Sequence, residues 1–319
     1  MSPADPAFWE PDVLGDPYVV EALVLSPDAE GAVEANLVRR WDETPRTKAV
    51  LHVHGFNDYF FHTEYAEWWA ARGYTFYALD LRKHGRSIRE HQTPCYVESL
   101  DEYYEELDAA WQRITERDGH REVVLSAHST GGLTMSLWAH DRQPTAAGLV
   151  LNSPWVDMHG PFWLRIGTGV MRQLGSYQPK RELPRGGAGY YGQSISAAHA
   201  GEWPYDLAWK SVEPRPIYAG WLRAIRRGQA RLHAGLDVRF PILVLTSGGT
   251  FKATEMSEEV YTHDIVLDVA QMRRWATAIG PQVTVTSVDG AMHDVVLSRP
   301  DVRTRVYAEM SRWARAYLP

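Results

Sequence analysis

The chain has 319 residues, with 45% hydrophobic and 23% charged side chains and a formal net charge of −7. This size and composition predict a globular protein with one large core, and the negative charge argues against a protein that binds nucleic acid through its phosphates. The single cysteine, Cys95, excludes an intrachain disulfide, and the lack of a signal-peptide pattern or an apolar run of about 18 residues predicts a cytoplasmic protein without integral membrane association.

Short apolar runs alternate along the chain with longer amphipathic segments, a pattern typical of a mostly parallel sheet covered by helices on both faces. The predicted strands are 18–25 and 33–39 as an opening antiparallel pair, then 48–54, 75–81, 122–127, 147–152, 241–247 and 282–288. The predicted helices are 63–72, 100–117, 130–141, 268–279 and 300–317. The fold class is therefore α/β, with a mostly parallel central sheet flanked by helices.

The segment after residue 154 interrupts this alternation. It is rich in Trp, Gly, Pro and Arg and shows no strand periodicity up to about residue 235. We therefore predict an inserted, mainly helical cap over 155–236, which divides the α/β core into 1–154 and 237–319.

A serine stands where the predicted strand 122–127 turns into the helix 130–141. A serine held on such a sharp turn needs small residues two positions before and after it. Ala127 and Gly131 occupy these positions around Ser129, although glycine is more usual at the first of them. The pattern predicts Ser129 as a nucleophile, and capping of the helix is its alternative role.

A nucleophilic serine of this kind needs donors for the developing oxyanion, and two backbone amides are candidates. The amide of Phe56 follows the predicted strand 48–54, and the amide of Thr130 follows the serine. His54 lies beside this predicted oxyanion hole, either in contact with substrate or as a structural histidine.

The histidines near residue 54 also raise the question of a metal. His52, His54, Asp58 and His62 faintly resemble the spacing of dinuclear metallohydrolases, but Phe56 stands where that motif needs an aspartate. We therefore predict no metal and no organic cofactor.

The serine also needs a general base and a carboxylate that orients it. His293 is the candidate base, because it follows the strand 282–288 in a turn-rich loop at the edge where open parallel sheets place ligands. Asp264, Asp268 and Glu255 are candidate acids between the serine and the histidine. Asp268 is well explained as the N-cap of the following helix, which favours Asp264.

These segments together resemble the α/β-hydrolase superfamily, and within it the monoacylglycerol lipase and lysophospholipase-like group with a serine aminopeptidase-type hydrolase domain. The similar segments are HGFND at 54–58 (oxyanion loop), ALDLRKHGRS at 78–87 (strand-end motif), AHSTGG at 127–132 (serine turn), DIVLD at 264–268 (acid segment) and GAMH at 290–293 (histidine loop). The resemblance strengthens Asp264 as the acid. The loop 247–262 is longer than usual in this group, and Thr250 stands near where a shorter loop would place the acid.

The resemblance implies a serine hydrolase that cleaves a carboxylic ester, monoacylglycerol-like, lysophospholipid-like or another medium apolar acyl ester, through an acyl-enzyme. The same residues could serve a lactonase, thioesterase, amidase or acyltransferase, and a catalytically weak receptor with a hydrolase fold is a rival from another class. A small acyl molecule is the expected partner, and the sequence does not indicate an oligomeric state. Cap aromatics are candidates for the acyl pocket or for ordinary packing, namely Trp155, Phe162, Trp163, Trp203, Trp209 and Trp221.

Overall fold

The computed structural model of the chain describes residues 8–158, 177–184 and 189–319. Within these ranges the strands form one nine-stranded sheet. They are β1 (Glu10–Pro11), β2 (Tyr18–Asp28), β3 (Gly31–Arg40), β4 (Lys48–Val53), β5 (Tyr74–Asp80), β6 (Glu122–His128), β7 (Gly148–Asn152), β8 (Ile242–Ser247) and β9 (Val283–Val288).

The sheet has the order β1-β2-β3-β5-β4-β6-β7-β8-β9. Its first part is antiparallel, from β1 through β2 and β3 to β5, and all pairings from β5 to β9 are parallel. The predicted opening antiparallel pair and the parallel central strands are thus confirmed. In the parallel part the strand carboxyl ends meet at one edge, where Val53 pairs with Ala127 and His128 with Asn152.

The helices follow the prediction closely. In the described ranges they are α1 (Thr63–Ala70), α2 (Tyr104–Gln112), α3 (Thr130–Arg142), α4 (Tyr190–Ile195), α5 (Ala219–His233), α6 (Val269–Trp275) and α7 (Pro300–Tyr317). The predicted helix 100–117 is less regular than expected, with a tight 3₁₀ turn at Leu100–Tyr103 before α2 and a wide π turn at Arg113–Arg117 after it. A capping box formed by Ser99 and Glu102 fixes where the 3₁₀ turn begins.

The core covers both faces of the sheet. Leu51 and Val53 of β4 belong to one apolar cluster, whereas Val50 belongs to a second cluster. Because side chains alternate along a strand, this division places the two clusters on opposite faces. β4 is therefore buried on both sides, as expected for the middle of a parallel sheet.

The chain between β7 and β8 adds no strand to the sheet in its described residues. It contains α4, α5 and two isolated bridges, Glu182 with Tyr218 and Ser196 with Trp203. The division into core and cap at 155–236 remains a prediction. None of the described helices combines the length and the apolarity needed to cross a bilayer.

Candidate active site

Ser129, His293 and Asp264 lie in one hydrogen-bonded row at the carboxyl edge of the sheet. His293 Nδ1 is 2.8 Å from Asp264 Oδ2, and His293 Nε2 is 3.1 Å from Ser129 Oγ. A carboxylate can only accept, so the imidazole carries its proton on Nδ1 and presents Nε2 as an acceptor to the serine hydroxyl. All three side chains are buried, with Ser129 the most exposed at 7%.

The backbone of Ser129 is strained in the way a sharp strand-to-helix turn requires. Its φ of 53° and ψ of −117° are unusual for a residue with a side chain. A Cβ at Gly131 would overlap the carbonyl oxygen of His54, so only glycine fits there. The methyl group of Ala127, two positions before the serine, is by contrast fully buried as part of the apolar core.

The loop after β4 lies directly against the serine turn. A Cβ added at Gly55 would be 3.0 Å from the His128 ring and 3.1 Å from Ser129 Cβ. The next amide, that of Phe56, donates no hydrogen bond to any residue in the described ranges. The Thr130 amide opens α3, where first-turn amides have no acceptor inside the helix. Both predicted oxyanion donors therefore belong to segments that adjoin Ser129.

The long loop after β8 brings Asp264 back to the strand end. Thr250 and Asp264 form a parallel bridge, with hydrogen bonds from the Phe251 amide to the Asp264 carbonyl (3.0 Å) and from the Asp264 amide to Gly249 (3.0 Å). The second oxygen of the Asp264 carboxyl accepts from the amides of residues 266 and 267 at 2.8 and 2.7 Å. The carboxyl group is thus fixed on both sides.

The two competing acids are placed differently. Asp268 caps α6 by accepting a hydrogen bond from the Ala270 amide at 2.9 Å, as expected from the sequence. Glu255 is exposed to solvent. Asp264 is therefore the only one of these three carboxylates that contacts His293.

The family profile described as serine aminopeptidase, S33, matches residues 44–299, which include the serine, the acid and the histidine. The chain belongs to this family of α/β-hydrolases. No curated protein sequence gave a significant match.

Solved structures of other proteins share the fold of this family member at low identity. A monoacylglycerol lipase from Paleococcus ferrophilus has a TM-score of 0.64 and 19% identity, covering 88% of this chain and 99% of its own. A soluble variant of monoglyceride lipase from Saccharomyces cerevisiae, in complex with a substrate analog, has a TM-score of 0.67 and 13% identity over 94% and 97% of the two chains. Est1E from Butyrivibrio proteoclasticus with ferulic acid has a TM-score of 0.55 and 14% identity over 95% and 96%.

Three aromatic side chains of this S33 family member lie together beside the serine. The Phe56 and Trp221 ring centroids are 4.3 Å apart, and those of Trp155 and Trp221 are 5.7 Å apart. The Trp155 amide donates to the Ser129 carbonyl at 3.0 Å, which places this group next to the serine turn. We call Phe56, Trp155 and Trp221 the aromatic cluster.

The other predicted pocket aromatics are not part of this cluster. Trp203 donates its indole N–H to the Leu297 carbonyl at 2.9 Å, and Trp209 packs edge-on against Tyr59 at 5.2 Å. Both join a separate apolar group around Met292. Phe162 and Trp163 lie outside the described residues.

His54 is held by the main chain. Its Nδ1 is 2.7 Å from the Gly55 carbonyl oxygen, and its Nε2 accepts from the Leu81 amide at 3.0 Å. Both ring nitrogens are therefore occupied, and the side chain is only 1% exposed. This geometry favours the structural alternative over contact with substrate.

A buried charged group behind the serine was not foreseen from the sequence. Ligand atoms of Asp58, His128 and Asp294 lie within 4.8 Å of one another, a spacing that could hold a metal ion. However, the Lys210 ammonium group donates to Asp58 Oδ1 at 2.7 Å and already supplies a positive charge there. Asn152 also donates to Asp294 at 2.6 Å. The donor set therefore fits an internal ion pair better than a metal site.

The electrostatics of this group agree with an internal ion pair. Burial raises the pKa of the Asp58 carboxyl, but the Lys210 ammonium and nearby imidazoles outweigh burial and hold the pKa well below its usual range. Burial lowers the pKa of His128 to about 4, so its imidazole is neutral near pH 7. Asp294 directly follows His293 and was within reach of motif reasoning, whereas Lys210 lies in a segment without any periodic pattern.

Proposed function

We propose that this protein is a serine hydrolase that cleaves carboxylic esters with medium-sized apolar acyl groups through an acyl-enzyme intermediate. The observation that carries the proposal is the row Ser129–His293–Asp264, with distances of 3.1 and 2.8 Å, built on a strained serine turn. Membership of the S33 family and the fold shared with lipases and esterases support the same reaction class.

The proposed reaction follows from the hydrogen bonds of this row. Ser129 Oγ attacks the acyl carbonyl carbon while His293 Nε2 takes the hydroxyl proton, and Asp264 stabilises the imidazolium that forms. The amides of Phe56 and Thr130 hold the negative oxygen of the tetrahedral intermediate. Its collapse breaks the ester bond, and His293 returns the proton to the leaving alkoxide.

Water completes the proposed cycle. His293 removes a proton from a water molecule, which attacks the acyl carbonyl, and the second tetrahedral intermediate releases the acid and restores Ser129. No step requires a metal or an organic cofactor.

The proposed acyl preference rests on the aromatic cluster of Phe56, Trp155 and Trp221. The Trp155 backbone is hydrogen-bonded to that of Ser129, and the three rings pack on one another, so we propose that this cluster supplies apolar surface for an acyl chain. Trp155 and Trp221 belong to the segment 155–236, which we propose acts as the cap over the core.

Hydrolysis of a chain-length series of p-nitrophenyl esters tests the proposal. We expect wild-type turnover to fall about 10⁴- to 10⁶-fold in Ser129→Ala, since residues of such a triad act as one unit. Asp264→Ala should also lose most activity, whereas Asp268→Ala is the matched control and should retain it. Activity that survives in Ser129→Ala would refute the proposed nucleophile.

The same assay separates the alternatives when thioester, lactone and amide substrates are added. Faster turnover of one of these would reassign the leaving group without changing the nucleophile. A wild type that shows no multiple turnover, but is stabilised by a bound ligand, would instead indicate a receptor.

A further inference from the structure

The loop after β4, which carries the proposed oxyanion donor, is in contact at residues 56–58 with the chain between β7 and β8. Lys210 bonds to Asp58, Ser211 bonds to Asn57, and the Trp221 ring packs on Phe56. Three consecutive residues of the loop thus contact the inserted segment. These contacts join residues more than 150 positions apart in the chain.

The strongest of these contacts is a buried ion pair. Lys210 Nζ lies 2.7 Å from Asp58 Oδ1, and the two side chains are 6% and 4% exposed. The other oxygen of Asp58 accepts from the amide of Gly55 at 3.4 Å. The carboxylate therefore connects Lys210 to the amide of Gly55, one residue before the amide of Phe56.

Asn57 is held from the same segment. Its amide nitrogen donates to the Ser211 carbonyl at 2.9 Å, and its oxygen accepts from Arg215 Nε at 2.9 Å. Asn57 has a φ of 49°, in the left-handed region that is unfavourable for most residues with side chains. Two hydrogen bonds between the Asn57 side chain and the inserted segment, one donated and one accepted, thus stabilise the strained backbone that follows the Phe56 peptide.

We infer that Lys210 is a positioning residue for the oxyanion hole, and that Lys210, Ser211 and Arg215 hold the Phe56 amide in line with Ser129. This inference rests on the proposed function. Asp58 fixes the loop before Phe56 and Asn57 fixes it afterwards, so the amide between them has little freedom. An oxyanion donor must be aimed at the intermediate and not at the ground-state carbonyl, which makes its position critical.

The test compares wild type with Lys210→Met, Arg215→Met and the double variant Asp58→Asn/Lys210→Met. We expect kcat to fall about 100-fold in Lys210→Met, the size of effect that a misplacement of about 1 Å produces, with KM changed less than about threefold. The affinity for a trifluoromethyl ketone, which forms a tetrahedral adduct with serine, should fall by the same factor as kcat/KM. Arg215→Met should lower kcat by about tenfold.

The matched control is Lys180→Met. Lys180 is a lysine of the same inserted segment in an ion pair with Glu30 at 2.6 Å, but its side chain is 52% exposed. This variant should keep the wild-type kcat and ketone affinity. If loss of any lysine charge from this segment were enough to slow the reaction, both variants would lose kcat, whereas the effect of breaking a buried ion pair is tested by the double variant.

The double variant removes the need to bury an unpaired charge, and so addresses the case in which Lys210→Met does not fold. If it folds and shows the same loss of kcat, positioning is supported. If it regains wild-type kcat, the ion pair only neutralises charge and the inference is overturned, as it is if every folded variant retains wild-type kcat. A wild type without Ser129-dependent turnover would instead refute the proposed function itself.

Discussion

At the scale of single residues, the bond between Asp264 and His293 fixes which ring nitrogen carries the proton. Asp264 Oδ2 accepts from Nδ1 at 2.8 Å, and Nε2 remains free to accept the proton of Ser129. An asparagine at position 264 keeps the shape but can present an N–H to the ring, which reverses the tautomer.

We therefore expect Asp264→Asn to lower kcat about 10⁴-fold, the effect that a reversed tautomer has in a serine triad. Steady-state ester hydrolysis measures this loss, and circular dichroism should show an unchanged fold. Activity within tenfold of wild type would mean that another carboxylate orients His293.

The aromatic cluster gives a second prediction at this scale. Each CH₂ group that enters an apolar pocket contributes about 0.8 kcal/mol, which is about a fourfold increase in kcat/KM. We expect this increase along the p-nitrophenyl ester series in wild type and a smaller increase per CH₂ in Trp155→Ala. The p-nitrophenyl series measures both slopes.

The matched control for this prediction is Trp275→Ala. Trp275 is also half-buried but stacks on His233, with ring centroids 3.7 Å apart, and is not part of the aromatic cluster. Its slope should equal that of wild type. Equal slopes in all three proteins would place the acyl chain elsewhere.

At the scale of elements, two carboxylates that were both candidate acids from the sequence have different contacts. Asp264 accepts a hydrogen bond from His293, and Asp268 caps α6. Asp268 satisfies an amide in the first turn of α6, and removal of such a cap costs about 1 kcal/mol of stability. We expect Asp268→Ala to lower the free energy of unfolding in urea by about this amount and to leave kcat/KM unchanged. A large loss of activity with normal stability would return Asp268 to the candidate acids.

Most elements could be predicted from the sequence because their apolar patterns are long and end at turn residues. Most strands of the core, together with α1, α3 and α7, lie within two residues of their predicted ends, and α7 coincides with its prediction. β2 extends three residues beyond the predicted 18–25, and α6 ends four residues before the predicted 279. β1 was missed because two residues, Glu10–Pro11, carry no periodicity. The turns that flank α2 were missed because they span only four and five residues, too few for the spacing of apolar residues to distinguish a 3₁₀ or π turn from an α-helix.

The contacts of the site also divide into those that could be predicted from the sequence and those that could not. Ser129 and His293 stand in local motifs, and Asp264 was favoured partly because Asp268 had another explanation. The Lys210–Asp58 pair joins positions 152 residues apart. Asp58 stands in a local motif, but Lys210 does not, and no pattern linked the two residues. Such a pair depends on how the inserted segment returns to the core, which no pattern within one segment encodes.

At the scale of the whole molecule, buried imidazoles make stability depend on pH. Burial lowers the pKa of His52, His62, His84, His120 and His128 below the ordinary value of 6.5. Below pH 6.5 the unfolded chain takes up protons that the folded protein does not, so stability falls as the pH falls. Above that pH both states are neutral and these groups contribute no pH dependence.

We expect the free energy of unfolding to decrease from pH 6.5 to pH 5, with a slope that approaches about 1.4 kcal/mol per pH unit for each of His84, His120 and His128, whose pKa values burial lowers to about 3, 4 and 4. Urea titrations at several pH values measure the slope. His120→Gln should reduce it by the contribution of one group, because burial lowers the pKa of His120 to about 4. A free energy of unfolding that is constant over this interval would contradict the neutral burial of these side chains.

The bridge between Thr250 and Asp264 has a consequence for how related chains are compared. Asp264, the proposed acid, is held by backbone hydrogen bonds to Gly249 and Phe251, just beyond the end of β8. The 13 residues from 251 to 263 form a loop that leaves and returns at the same place. Insertions or deletions within such a loop can accumulate during evolution while the carboxylate stays in register with the histidine. Counting residues from the strand would place the proposed acid near Thr250. In relatives with loops of other lengths, we therefore expect the corresponding carboxylate to be located better by its return to this strand end than by its spacing.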